Sequence, residues 1–278
     1  MEIGIFSRTF AQPALEEVLD AALSHGLSHL HFNLKSAGVA SLPDEIEAGL
    51  CERVRRAFAA RHITMTSVSG TFNAVHPDVH QRKRDTQRAC RLIERCGLLG
   101  APVVTLCTGT RDPGDMWRRH PDNDKPDAWR DLLSTVGHLL TVAESCGIVL
   151  GIEPEPNNVV NSAAKARLLL DEMRSSHLKI VMDGANLCDG IEPARMKDVL
   201  SEAFLLLAPD TLLVHAKDLP AEPGRSSRAA GTGRLDWPAY FRLLREYQYD
   251  GVVILHNLNE SEIDSSVSFL RGHLHALS

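Results

Sequence analysis

The feature that most constrains this chain is an alternation sustained from end to end. A short β-branched or apolar run is followed by a longer segment with helical apolar spacing, and the pair recurs eight times. Predicted strands lie at Ile3–Phe6, His29–Asn33, Ile63–Ser69, Val103–Cys107, Val149–Glu153, Ile180–Asp183, Leu212–Ala216 and Val252–His256. Between them, apolar residues return every three or four positions, as in Leu15, Val18, Leu19, Ala22, Leu23 and in Leu132, Leu133, Val136, Leu139, Leu140, Ala143. Gly26, Gly100 and Gly147 stand where a helix is expected to stop before the next strand, a position that favours the left-handed backbone only glycine adopts cheaply. Unbroken alternation of strand and helix calls for a parallel sheet. Eight such units in 278 residues, with no polar linker between them, predict a single-domain (β/α)8 TIM barrel over residues 1–278. An open doubly wound sheet is the alternative, but no G-x-G-x-x-G follows the first strand.

Composition narrows the partners. A 44% hydrophobic content supports a full core. Thirty-six acidic against 30 basic residues give a net charge of −6, which disfavours a nucleic-acid surface. No apolar run approaches the ~20 residues of a membrane span. The N-terminal MEIGIFSRTF reads as a strand and not as a signal peptide, so the cytoplasm is the expected compartment. The six cysteines form no C-x-x-C pair and are predicted to be buried, reduced thiols.

A barrel of this kind carries its chemistry at the C-terminal ends of the strands and in the loops that follow. The third strand leads into Asn73 and His76, and the fourth into Thr108, Arg111 and Asp112. The fifth ends in GIEPEPNN with Glu153 and Glu155, the sixth in VMDGAN with Asp183 and Asn186, the seventh in VHAKD with His215, Lys217 and Asp218, and the eighth in ILHNLNE with His256 and Glu260. Glu153, Asp183 and His215 come from three consecutive strands about 4.8 Å apart, so their side chains can meet. Two carboxylates and an imidazole at one point repel and desolvate each other unless a cation joins them. A mixed O/N set suits Mn²⁺, Co²⁺, Mg²⁺ or Zn²⁺. Each residue taken alone is equally a hydrogen-bonded polar group at a strand end.

GIEPEP, VMDGAN and VHAKD followed by GTGRLDW resemble the xylose-isomerase-like TIM-barrel superfamily, from the first strand to the last helix. That superfamily holds sugar isomerases, ketose 3-epimerases, inosose dehydratases and apurinic endonucleases. In its epimerase branch a metal is held by Glu, Asp, His and Glu from strands five to eight, and the two glutamates serve as acid and base. By position the resemblance assigns Glu153, Asp183 and His215 to the first three places. The fourth differs: His256 stands where the branch has glutamate, as ligand or as general base, with Glu260 four residues on. Asn186 replaces a substrate-touching histidine, and Glu155 replaces the carbonyl-polarising lysine of xylose isomerase. The resemblance also implies a homodimer or homotetramer.

The expected chemistry is proton abstraction beside a metal-bound carbonyl on a sugar, sugar phosphate or cyclitol. Glu153 is the expected base, with His256, Glu155 or Glu260 opposite. Return of the proton gives isomerisation or epimerisation, and loss of a β-hydroxyl gives dehydration. Expected substrate contacts are Asn186, Lys217, Asp218, Arg111, Arg228 before Arg225, Asn73, His76 and Glu260. Trp117 is expected to stack on a sugar from a long loop that Pro121 and Pro126 break and that also holds Trp129. His76 and His120 equally fit a loop-fixing role. Two other readings compete: a phosphodiesterase, for which strand ends two to four offer too few ligands, and a metal-free binder of a small polyol.

Overall fold

In the computed structural model, residues 1–220 and 228–275 are described. Strands and helices follow in the order β1 (Glu2–Phe6), α1 (Leu15–Ser24), β2 (His29–Phe32), α2 (Ala48–Ala60), β3 (Thr64–Ser69), α3 (Val79–Leu99), β4 (Val103–Cys107), α4 (Pro126–Cys146), β5 (Val149–Glu153) and α5 (Ala163–Met173). They continue with β6 (Leu178–Asp183), α6 (Gly184–Leu187), α7 (Pro193–Leu207), β7 (Thr211–Asp218), β8 (Arg228–Ala229), α8 (Trp237–Glu246), β9 (Val252–Leu255) and α9 (Ile263–His275). Hydrogen bonding runs β1-β2-β3-β4-β5-β6-β7-β9 and back to β1, all parallel, which closes a (β/α)8 barrel. Two-residue β8 lies antiparallel on the end of β7, opposing Lys217 to Ala229 and Asp218 to Arg228.

The amphipathic helices bury their apolar stripes on the outer face of the barrel, where Leu15, Val18, Leu19 and Ala22 of α1 and Leu132, Val136, Leu139 and Leu140 of α4 are nearly inaccessible. A second, smaller cluster, Val181, Leu213 and Ile254, is separate from that layer. Each of its members stands two residues before Asp183, His215 or His256. Since side chains two apart share a face, this apolar plug is the floor on which the polar strand ends rest.

The predicted strands agree with the observed ones to within two residues. Gly26, Gly100 and Gly147 do adopt left-handed φ values of 70°, 82° and 68°. Three expectations need correction. Pro126 does not break the chain: it is the first residue of α4, where its missing N–H has no partner to lose, so Trp129 is helical and donates from Nε1 to Glu172 at 3.1 Å. β7 runs to Asp218, which places Lys217 on the strand instead of in a loop. Five cysteines are buried, but Cys146, the last residue of α4, is exposed. No helix among the described residues is long and apolar enough to cross a membrane.

Candidate metal centre and cavity at the barrel mouth

Three strand ends converge. Asp183 and His215 are register partners across β6 and β7, and Glu153 closes β5. His215 Nδ1 lies 3.0 Å from Glu153 Oε1 and 3.8 Å from Asp183 Oδ2. One donor atom from each of the three lies within 4.8 Å of the other two, and all three residues are buried. Donors about 2.1 Å from a common ion stand at spacings of this kind. Two buried carboxylate oxygens facing a buried imidazole nitrogen therefore fit a divalent cation by both distance and chemistry.

The oxygens of Asp183 are divided in use. Oδ1 accepts from the Asn186 N–H at 3.0 Å and so caps the start of α6, while Oδ2 faces the cluster. The turn this creates returns Asn186, whose Nδ2 donates to Glu153 Oε1 at 2.9 Å. Lys217, two residues past His215 on the same face of β7, puts its Nζ 3.1 Å from Asp183 Oδ2 and 3.9 Å from both Glu153 Oε1 and Glu155 Oε1.

Burial alone would raise Glu153, but the neighbouring His215 and Lys217 hold it well below the ordinary carboxylate range. Burial would likewise lower Lys217, and Asp183, Glu155 and Glu153 more than reverse that, so its ammonium stays charged. Glu155, with Lys217 pulling the other way, is pushed by burial up to about 7. Burial, helped by the nearby His215, lowers His256 to about 3, which leaves a neutral imidazole at physiological pH.

Above the cluster opens a cavity of about 840 Å³. Glu155, Asn186, Lys217 and His256 line it, together with Trp117 from the loop after β4. Trp117 is 48% exposed, and Asp115, Asn157, Asp189 and Asn257 add further polar groups to the wall. The His256 ring stacks between Phe6 at 4.8 Å and His215 at 4.7 Å. Its Nδ1 is buried without a hydrogen-bond partner among the described residues, as is His215 Nε2.

Several residues expected at the substrate are spent on the scaffold. Asn73 donates to the Thr110 carbonyl at 2.8 Å and accepts from the N–H groups of Thr110 and Val75, tying the loop after β3 to the loop after β4. The His76 ring engages the Pro113 carbonyl with Nε2 and the Asp78 N–H with Nδ1, so neither nitrogen is open to a ligand. Arg111 turns outward to the Val75 carbonyl and to Asp131 at 2.6 Å. Asp218 is wholly buried and accepts from Leu219 N, Gly231 N, Leu235 N and Trp237 Nε1. This explains the GTGRLDW segment in structural terms. Gly231 has φ 85° and its N–H reaches Asp218, while a Cβ at Gly233 would lie 1.9 Å from the Leu219 carbonyl oxygen. Glu260 accepts from Gln12 at 3.1 Å, and neither it nor the exposed Arg228 lines the cavity. Arg225 lies outside the described residues.

Two residues at the centre escaped the sequence reading. His31 of β2 is buried, stacks 5.7 Å from His215 and bonds Thr105 through Nε2 at 2.9 Å. It sits one residue inside the strand end, where inward-facing parity was the available signal. Cys107, read as a packing thiol, is the register partner of Glu153 and lies 3.9 Å from its Oε2.

The sequence profile of the xylose isomerase-like TIM-barrel family matches residues 19–273. The chain belongs to that family. Among characterised proteins it is similar to a D-psicose 3-epimerase of Enterocloster bolteae, 27% identical over 137 residues, which is 48% of this chain and 42% of that protein. The chain thus matches under half the length of this relative. In three dimensions it is similar to a 3-keto-D-glucoside 4-epimerase from E. coli, with a TM-score of 0.73, 20% identity and coverage of 98% of this chain and 99% of the other. It is also similar to an IolI protein with a bound zinc atom, with a TM-score of 0.75, 15% identity and coverage of 99% and 96%. At these identities the structural likeness speaks for the fold.

Proposed function

We propose that the protein is a divalent-metal-dependent isomerase or epimerase that acts on a small keto-sugar, sugar phosphate or cyclitol by moving a proton beside a carbonyl. The observation that carries this reading is the meeting of Glu153, Asp183 and His215 directly beneath a polar, sugar-sized cavity. The names of the similar proteins, two sugar epimerases and a zinc-bound barrel, agree with it. Glu153, Asp183 and His215 would hold the ion, with His256 as the fourth ligand or as a neutral base. Mn²⁺, Co²⁺, Mg²⁺ and Zn²⁺ all suit the set. When bound there, the ion would act as a Lewis acid on the substrate carbonyl and so acidify the adjacent C–H.

The chain's own residues then divide the work. Asn186 and Trp117, both lining the cavity, orient hydroxyls and one sugar face. Glu155 takes the proton from carbon, and the electron pair left behind moves onto the carbonyl oxygen. Solvent in the cavity gives a proton back to the opposite face, Glu155 passes its own proton to the hydroxide left behind, and the centre is inverted. Glu153, with Oε1 accepting from Asn186 and 3.0 Å from His215 Nδ1, serves mainly as ligand and less as the base expected of it. A second reading is dehydration: Glu155 lines the cavity, and burial raises its carboxyl to about 7, so it can carry the proton that a leaving β-hydroxyl needs.

The test is deuterium uptake from D₂O into a panel of ketoses, 3-keto-glycosides and inososes, read by NMR on metal-loaded protein. Exchange at a carbon next to a carbonyl, lost in Asp183→Ala, is expected. No exchange with any of them under any of the four metals would overturn the proposal.

A further inference from the structure

The ammonium of Lys217 stands where the cation would be most strongly held. It lies 3.1 Å from Asp183 Oδ2 and 3.9 Å from Glu153 Oε1. Those are the same two oxygens that face His215 Nδ1 at 3.8 and 3.0 Å and complete the ligand triangle. Lys217 is only 5% exposed, and it shares a strand face with His215 because the two are two residues apart on β7. The strand therefore fixes the root of the side chain beside the ligand set. The flexible stem beyond it can swing, and a third carboxylate, Glu155, waits 3.9 Å away on the cavity side.

We propose that Lys217 is a built-in rival of the divalent cation: its ammonium occupies the carboxylate oxygens the ion requires, and the ion enters only as the ammonium shifts from Asp183 to Glu155. The inference rests on the metal-dependent reading above and adds a device that sets how tightly the metal is held. Charge balance supports it. Glu153 and Asp183 bring two negative charges, the amount one divalent ion neutralises once the Lys217 ammonium is paired with Glu155. The lysine is thus reassigned and not expelled. A monovalent cation in contact with two of the three ligand atoms raises the cost of placing a second cation among them. Without the ion, the same ammonium keeps the buried carboxylates from standing unpaired.

The experiment is Mn²⁺ titration of metal-stripped full-length protein by calorimetry, with metal content checked after dialysis. Wild type is compared with Lys217→Met, Lys217→Arg, Glu155→Gln and Asp183→Ala. Removing the ammonium in Lys217→Met should tighten Mn²⁺ binding by about tenfold or more. Lys217→Arg keeps the charge and should stay close to wild type. Glu155→Gln removes the receiving carboxylate and should weaken binding several-fold. If Lys217→Met is too unstable without metal, it can be refolded with Mn²⁺ and its melting temperature followed as the ion is withdrawn. A larger metal-dependent rise than in wild type is then expected. Equal or weaker Mn²⁺ binding by Lys217→Met, beside wild-type binding that Asp183→Ala abolishes, overturns the rivalry and leaves the metal reading standing. Absence of binding in both wild type and Lys217→Met overturns both. Binding by Lys217→Met alone supports the rivalry in its strongest form.

Discussion

The two halves of the barrel mouth look alike as sequence and differ as chemistry. After β3 and β4, polar residues are as dense as after β5, β6, β7 and β9. In the first half they are spent on one another and on backbone: Asn73 on Thr110, His76 on Pro113, Arg111 on Asp131, Asp112 on Arg118 at 2.6 Å. In the second half Glu153, Asp183, His215 and Lys217 point into one buried volume with opposing charges unevenly matched. Polarity at a strand end is therefore no measure of reactivity. What counts is whether a side chain's donors and acceptors are already satisfied within its own loops.

The contrast can be broken by substitution. The largest effect is expected from Asp183→Asn, which keeps an oxygen for the helix cap and removes the charge. Metal affinity should fall by more than about 100-fold, read by calorimetry, with thermal stability little changed. Arg111→Met should do the opposite: a loss of about 1–2 kcal/mol in urea denaturation from the stranded Val75 carbonyl and from an Asp131 left with Arg82 as its one arginine partner, with metal binding intact. Asn73→Ala, which removes three hydrogen bonds, two of them between the loops, should cost about 2 kcal/mol by the same measurement. Loss of metal binding in either of these two would erase the distinction between the halves.

Protonation sharpens it further. Glu155 has a folded value of about 7, above its ordinary 4.5. Its contribution to stability is therefore complete below about pH 4.5 and is lost as pH rises through about 7, a trend absent from Glu155→Gln when both are denatured at pH 5 and pH 8. As the proton-accepting group it should also make solvent exchange rise with pH through about 7, a limb that Glu155→Gln removes. The smallest effect belongs to Trp117→Ala at the half-exposed rim: a few-fold rise in KM and under about 0.5 kcal/mol of stability.

Much of this architecture was legible in the sequence. Strand positions followed from β-branched runs bounded by helix-ending glycines, and the strand ends then located Glu153, Asp183 and His215 without further input. Legibility stopped where tertiary partners decide. Nothing local distinguishes Asp218, which closes the GTGRLDW loop through three hydrogen bonds, from Asp183 on the strand before it. His31 stands one residue inside the end of its strand, where a rule about strand ends does not reach. Pro126 has the local look of a breaker, yet the first turn of a helix tolerates proline and α4 starts there. Lys217 was placed near the substrate, but its contact with Asp183 depends on two strands meeting in register, which composition and spacing do not encode.

Asp183 ties assembly to chemistry. One oxygen starts the short turn that carries Asn186 back onto Glu153, and the other faces His215 and Lys217. The wall that would greet a sugar and the pole that would activate it thus share a single hinge pin. Trp117 at the rim holds neither part, whereas a change at this aspartate that loses the capping oxygen moves both together, which leaves the loops and not the barrel as the place to alter the wall alone.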